Sequence, residues 1–231
     1  NLQIGHVIID PQTVKANEEV GKSVLADRTV NRYLSSLGAF LTWAVNNGYL
    51  DKNPTEGLML KKEAKAPTLP FKTEQLTTLF NSPWFSGCKS ADEWRNVAKP
   101  GDVLIRDHRF WVPLIMLFSG ARPGEIGQLA VTDVRQEHGH WIMHITTEGD
   151  ETDEGKSVKT KGSMRVVPVH PELIRLGFID YHAGRVKDGG SALFPDAKRN
   201  GRGQMMADMS REFGRYMTKI GLKQGRGLRS C

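Results

Sequence analysis

An arginine beside a turn, followed three residues later by a glutamate, is the most chemically suggestive feature of the sequence. Arg122 and Glu125 lie within residues 118–129, where an apolar stretch ends and Pro123 suits the first turn of a short helix. A guanidinium held there could present its planar fork of donors to a phosphate. The same spacing is also typical of a surface ion pair across one helical turn, so the segment alone leaves both interpretations open.

Two lysines in a polar connection form a second candidate. Residues 141–145 and 166–169 are β-prone, and they predict two strands of a small antiparallel sheet. The long segment between them holds Lys159 and Lys161. A lysine on a mobile connection could protonate a leaving 5′ oxygen as a general acid, although most lysines at a hairpin tip are simply solvated.

The remaining charged clusters carry less information. Arg229, in a Gly-Leu-Arg-Ser segment, could be a second phosphate ligand or part of a solvated basic end. An acidic cluster lacks the ligand spacing of a calcium loop, which favours a flexible, solvated acidic loop. The acidic cluster consists of Glu148, Asp150, Glu151, Asp153 and Glu154. The sequence also contains no Walker loop, His/Cys metal motif or nucleophile elbow.

Composition limits the classes of protein to which this chain could belong. The chain has 231 residues, of which 39% are hydrophobic and 25% charged, as expected for a globular protein. Its formal net charge of +6 favours a polyanionic partner without requiring one. Cys88 and Cys231 are too few for a disulfide framework. The low cysteine content fits a reducing, cytoplasmic location. No apolar run approaches the roughly 20 residues that span a bilayer, so we expect no membrane partner.

The N-terminal part predicts one strong helix and then a linker. Apolar residues recur every three or four positions from about Asp27, a plausible N-cap, until Gly48 stops the helix. Residues 61–70 are charged and punctuated by proline, which is typical of an extended linker. Three linker lysines could follow a nucleic-acid backbone, although solvated side chains are the more common explanation. They are Lys61, Lys62 and Lys65.

The C-terminal part predicts further helices around the small sheet. A short helix follows Thr73, its plausible cap, and a longer one covers residues 107–118, with Pro113 implying a kink or a late start. Residues 81–105 resemble an insertion. A helix starts near His170, residues 193–195 are expected to reach the core, and an amphipathic helix covers about 205–220. The predicted fold class is mostly α with a small antiparallel β-sheet, an α+β fold.

Several segments, in order, resemble the tyrosine recombinase or phage integrase family. Residues 29–54 are similar to the end of that family's helical core-binding domain, and residues 110–126 to its first arginine box. Residues 159–168 resemble the β-hairpin that carries the family's lysine, and Leu-Phe-Pro at 193–195 falls where the family has it. The resemblance implies a partial, SAM-like helical core-binding domain over residues 1–62, a linker over 63–70 and an incomplete catalytic domain over 71–231.

The resemblance also implies a chemistry. Members of the family cut and rejoin double-stranded DNA through a 3′-phosphotyrosine intermediate, without metal or nucleotide cofactor, and assemble as tetramers on DNA. Arg122 then corresponds to the first catalytic arginine of the family and Arg229 to the second. Lys159 corresponds to the family's catalytic lysine, with Lys161 as the alternative. The residues implied in DNA binding are Lys61, Lys62, Lys65, Lys161 and Arg165. We therefore also expect a bacterial or phage-derived protein that is cytoplasmic and associated with the nucleoid.

The sequence departs from the family pattern near its C-terminal end. Where the family has His-x-x-Arg, the histidine position before Arg229 holds Arg226. None of the chain's tyrosines stands where the family has its nucleophile. We therefore expect a fragment of a recombinase that is inactive alone. The alternatives are a degenerate DNA-binding module without catalysis, and an incomplete core that is stable only as an oligomer.

Overall fold

A computed structural model describes residues 25–61, 70–146 and 164–222, and the chain divides into two compact units, residues 1–67 and 68–231. In the first unit, helix α1 spans Asp27–Asn46. Its N-cap is Ala26, so the expected capping by Asp27 is wrong, and Asp27 instead occupies the first turn. The Asn31 side chain donates to the Leu60 carbonyl at 2.9 Å and accepts from the Leu60 amide at 2.8 Å, which holds the segment after the helix against α1.

The second unit alternates helices with one small sheet. Its helices are α2 (Thr73–Phe80), α3 (Pro83–Ser86), α4 (Trp94–Val97), α5 (His108–Ser119), α6 (Pro123–Gly127), α7 (Pro171–Arg175), α8 (Phe178–Lys187) and α9 (Ala207–Lys219), and a 3-10 turn spans Val131–Asp133. Its strands are β1 (Val134–Glu137), β2 (His140–Ile145) and β3 (Arg165–Pro168). The N-cap of α2 is Lys72, so the expected cap at Thr73 is wrong by one residue. The predicted α+β class is confirmed.

Within the residues that the structure describes, the sheet contains one strand more than the sequence predicts. The order is β1-β2-β3 with antiparallel neighbours. The expected pairing of residues 141–145 with 166–169 is confirmed, with Met143 opposite Val167. Strand β1 is not predicted from the sequence because Val134 is its single buried side chain. The four residues of the strand therefore show almost no apolar alternation.

Helix α5 crosses the core and leads into the site. Asp107 caps it by accepting from the Arg109 amide at 2.8 Å. Pro113 lies inside the helix and has no N–H, so it cannot donate to the Arg109 carbonyl one turn earlier. The indole N–H of Trp84 donates to that carbonyl at 2.8 Å instead, which satisfies the acceptor.

The segment predicted as an insertion belongs to the core. Trp84 and Phe85 of α3 are buried, and Val97 of α4 is fully buried. Leu193 and Phe194 also reach the core, as expected, and the Leu193 amide donates to the Leu129 carbonyl at 2.9 Å. Within the described residues, no helix is long and apolar enough to cross a membrane.

Candidate phosphate-binding site

The turn between α5 and α6 determines where Arg122 lies. Helix α5 ends at Gly120, whose φ of 65° is left-handed and whose amide donates to the Met116 carbonyl at 2.9 Å. Glycine adopts this conformation at little cost, so the chain can reverse sharply there. Arg122 follows in extended conformation as the N-cap of α6, and Pro123 is the first helical residue.

Close packing holds α6 in place on its inner side. Ile126 is fully buried. At Gly127, an added Cβ would lie 2.3 Å from Cγ of Met206, so the helix packs directly on the residue that precedes α9. The turn that carries Arg122 is therefore fixed by the core.

Glu125 is the central group of the site. Its side chain is only 4% exposed. Its Oε2 accepts from the Arg122 backbone amide at 3.0 Å, and its Oε1 accepts from Nη1 of the Arg122 guanidinium at 2.6 Å. This one carboxylate therefore satisfies the backbone amide of the N-cap residue and also orients the side chain of the same arginine.

A second arginine reaches the same carboxylate from the sheet. Arg165, the first residue of β3, donates through Nη2 to Glu125 Oε2 at 3.0 Å. The structure thus brings together two of the predicted site residues, Arg122 and Arg165, which are far apart in sequence. We call Arg122, Glu125 and Arg165 the Glu125 cluster.

The electrostatics of the cluster keep Glu125 ionised. Burial alone would raise the pKa of the Glu125 carboxyl. The hydrogen bonds from the Arg122 amide, the Arg122 guanidinium and Arg165, together with the charge of Arg165, outweigh burial and hold the pKa below its ordinary value.

Both arginines of the cluster are partly exposed to solvent. Arg122 is 57% exposed and Arg165 is 34% exposed, above a carboxylate that water barely reaches. Two guanidinium groups share a single carboxylate, so the trio carries one net positive charge. Such fixed donors suit a phosphate, and they would stabilise the extra negative charge of a phosphoryl transition state.

Of the other predicted site residues, the structure describes Lys61 alone. Lys61 is exposed in the first unit. Five others, and the acidic cluster at residues 148–154, lie outside the described residues; the five are Lys62, Lys65, Lys159, Lys161 and Arg229. Sequence reasoning identified Glu125 as a partner of Arg122 but missed its contact with Arg165, because nothing in a single sequence links positions 40 residues apart.

The chain's four tyrosines all lie in described segments. In the second unit, the Tyr216 hydroxyl accepts from the Trp84 amide at 3.1 Å, and the Tyr181 hydroxyl donates to the Leu193 carbonyl at 3.0 Å. Burial raises the pKa of Tyr181 to about 12. Both hydroxyls are engaged in the core, which makes them poor nucleophiles.

The described residues include no group of three or more histidine, cysteine, aspartate or glutamate side chains arranged to hold a metal ion. The chemistry of the Glu125 cluster comes from guanidinium groups and one carboxylate.

Comparison with solved structures decides the fold. The XerH site-specific recombinase, crystallised with its difH substrate in a pre-cleavage complex, matches 95% of this chain and 56% of its own, with a TM-score of 0.52 and 18% identity. The chain has the fold of a site-specific recombinase. The resemblance inferred from the sequence motifs is thereby confirmed at the level of the fold.

Other comparisons accompany this recombinase fold. The integrase of mycobacterium phage Brujita matches 92% of this chain and 58% of its own, at a TM-score of 0.40 and 16% identity. The putative defective protein IntQ of Escherichia coli (strain K12) is 27% identical over 132 residues, which are 57% of this chain and 28% of that protein. The chain thus spans little more than a quarter of this curated relative. No family model matches the sequence.

Proposed function

We propose that this chain belongs to a site-specific DNA recombinase or integrase and that the Glu125 cluster binds a phosphate of double-stranded DNA. One observation carries the proposal: an exposed arginine at the start of α6 is oriented by a buried carboxylate, within a recombinase fold. Such an arginine resists reorientation, so it stabilises charge on a bound phosphate without first being ordered. The DNA-bound state of XerH supports duplex DNA as the partner.

The remaining roles follow the same proposal. Arg122 acts as the first catalytic arginine, Lys159 or Lys161 as the general acid and Arg229 as the second arginine. Lys61, Lys62 and Lys65 contact phosphates, which position a protein on DNA without reading its sequence. We also propose that the protein associates with itself on DNA, and that it is a bacterial or phage-derived protein located in the cytoplasm in association with the nucleoid.

A DNA-binding module without catalysis is the second candidate. It is favoured by the hydroxyls of Tyr181 and Tyr216, which are both engaged in hydrogen bonds. IntQ, the curated relative, is itself described as defective. We propose none of the four tyrosines as the nucleophile, so we expect this chain alone to bind DNA without cleaving it. A DNA adduct of this chain that survives boiling in detergent and maps to a tyrosine would contradict this expectation.

Replacing Arg122 by glutamine tests the phosphate site. Binding of the intact chain to a mixed-sequence DNA duplex is measured over a series of salt concentrations. Because each neutralised phosphate releases counterions, we expect Arg122→Gln to weaken binding and to reduce the slope of log affinity against log salt by about one.

Arg175→Gln is the matched control, since Arg175 also pairs with a glutamate three residues away and is highly exposed. It removes the same charge, and we expect little change in slope. Equal losses in the two variants would mean that net charge alone drives binding, and the phosphate site would be wrong. A wild-type chain with no affinity at low salt would refute the proposal altogether.

A further inference from the structure

A cavity of the second unit lies along α5, and no residue of the Glu125 cluster lines it. Its volume is about 390 Å³. Small-molecule sites in proteins occupy roughly 300–1,000 Å³, and their lining is mostly apolar with a few polar groups that orient the ligand. This cavity has the same character, because its described lining is phenylalanine and leucine apart from two charged residues, Arg106 and Glu172.

The apolar walls of the cavity are built by helices of the core. Phe110, Leu114 and Phe118 recur every fourth residue, so they share one side of α5. Phe80 of α2 and Phe85 of α3 form another wall, and their rings meet edge to face with centroids 5.0 Å apart. Three of these side chains, those of Phe85, Phe110 and Leu114, are buried in the hydrophobic core. The cavity is therefore preformed by the packing of the fold.

Arg106 supplies the positive charge of the cavity. Its guanidinium lies 4.0 Å from the centroid of the Phe110 ring, and this cation–π contact holds the exposed side chain against the apolar wall. Within the part of the chain that the structure describes, the Arg106 side chain has no hydrogen bond and no ion pair. Arg109 and Arg175, by contrast, each bond a carboxylate. The donors of Arg106 are therefore available to a ligand.

The negative charge of the cavity is already neutralised. The carboxylate of Glu172 accepts hydrogen bonds from Nε and Nη2 of Arg175 at 2.8 Å and 2.5 Å. These bonds lower the pKa of Glu172. With Arg106, Glu172 and Arg175 counted together, one net positive charge remains. This charge beside apolar walls favours a ligand that combines an apolar body with an anionic group.

A second cavity of the same unit shows why the arginine matters. Its volume is about 420 Å³, and none of the described residues that line it is charged. Its walls would accept any apolar group of suitable size, so they select no particular ligand. The cavity along α5 differs in having a charged group that distinguishes one class of ligand from another.

We propose that the cavity along α5 binds a small molecule that has an apolar body and one carboxylate group. The body lies between the α5 wall and the phenylalanines of α2 and α3, where burial of apolar surface favours binding. The carboxylate pairs with Arg106, whose planar guanidinium matches its geometry. The apolar wall excludes part of the surrounding water, which strengthens this charge pair. The inference goes beyond the proposed function, because binding here involves no DNA.

Two probes that differ in charge but share one apolar body test the proposal. Naphthoate and naphthamide have the same bicyclic ring, and only naphthoate is anionic. Their binding to the intact chain is measured by isothermal titration calorimetry in the absence of DNA. We expect naphthoate to bind at least about tenfold more tightly than naphthamide, because it alone forms a charged hydrogen bond with Arg106. Arg106→Gln should remove this difference and leave the affinity for naphthamide unchanged.

Arg202→Gln is the matched control, since Arg202 is likewise exposed and does not line the cavity. It removes the same charge, and we expect the affinity for naphthoate to stay unchanged. Backbone amide shifts in NMR spectra locate the ligand without any variant. On addition of naphthoate, the changes should fall on α5 and α7.

Several results would overturn the proposal: no binding of naphthoate, equal affinity for the two probes, or equal losses in Arg106→Gln and Arg202→Gln. Shift changes confined to other elements would do the same. If the amides of α5 and α7 shifted with protein concentration in the absence of a probe, a second copy of the chain would occupy the cavity, and the small-molecule site would be wrong. None of these measurements uses DNA, so a failure of the proposed phosphate site would leave their outcome unchanged.

Discussion

Two arginine–glutamate pairs in this chain look alike in sequence and differ in the structure. Arg122–Glu125 and Glu172–Arg175 both join residues three positions apart, with N–O distances of 2.6 Å and 2.5 Å. The Glu125 side chain is 4% exposed, whereas that of Glu172 is 36% exposed. Spacing and distance therefore do not distinguish a site from a surface pair, but burial of the carboxylate does.

The difference arises from what surrounds each glutamate. Glu125 lies in α6, which packs on the core, and its oxygens also accept from a backbone amide and from Arg165 in the sheet. A buried carboxylate requires such partners, because an unpaired charge away from water is costly. Glu172 lies in α7 beside solvent, where water can replace its partner. The first pair fixes an arginine, while the second leaves one free to move.

The largest effect should come from removing the buried charge. Because Glu125 makes three hydrogen bonds away from water, we expect Glu125→Gln to lower the free energy of unfolding by about 1–3 kcal/mol. Urea unfolding monitored by tryptophan fluorescence measures the loss. Glu172→Gln, the matched control, should leave the unfolding midpoint essentially unchanged. Equal effects at the two positions would show that the comparison is wrong and that both are surface pairs.

Acid should remove the same stabilisation in the wild-type protein. The pKa of Glu125 in the fold lies below its ordinary value of 4.5, so its ionised form is favoured by folding. The resulting stabilisation is fully present above about pH 4.5 and is lost as the pH falls through the lower, folded pKa. We expect the difference in unfolding free energy between wild type and Glu125→Gln to shrink in that range. A difference that stays constant down to the acid limit of folding would contradict this assignment.

Elements with a strong local pattern were predictable. The amphipathic helices α1 and α9 and the pairing of β2 with β3 follow from the spacing of apolar residues. Strand β1 was missed because it is short and mostly polar, and the core position of Trp84 was missed because its contacts come from distant residues. Helix caps were misplaced by one residue, since Ala26 and Lys72 offer no capping signal in sequence.

The candidate site was predictable only where local sequence spacing determines its contacts. Arg122 and Glu125 lie within one turn, so local spacing connects them. The contact between Glu125 and Arg165 depends on how β3 lies against α6, which only tertiary packing decides. Burial of Glu125 was equally invisible, because a glutamate after Arg-Pro-Gly has no sequence feature that distinguishes it from Glu172.

The smallest expected effect is a shift in the pKa of Glu125, and it tests specifically the contact between Glu125 and Arg165. Arg165 lowers the pKa of Glu125 both by a hydrogen bond and by its charge. Replacing Arg165 by glutamine should therefore raise the pKa of Glu125, while the two hydrogen bonds from Arg122 continue to oppose the effect of burial. A carbon-detected NMR titration of the Glu125 carboxyl measures this shift directly. Arg175→Gln should leave that titration unchanged, because Arg175 pairs with Glu172. If Arg165→Gln did not move the pKa, Arg165 and Glu125 would not share a bond in solution, and the Glu125 cluster would reduce to a local pair like that of Glu172 and Arg175.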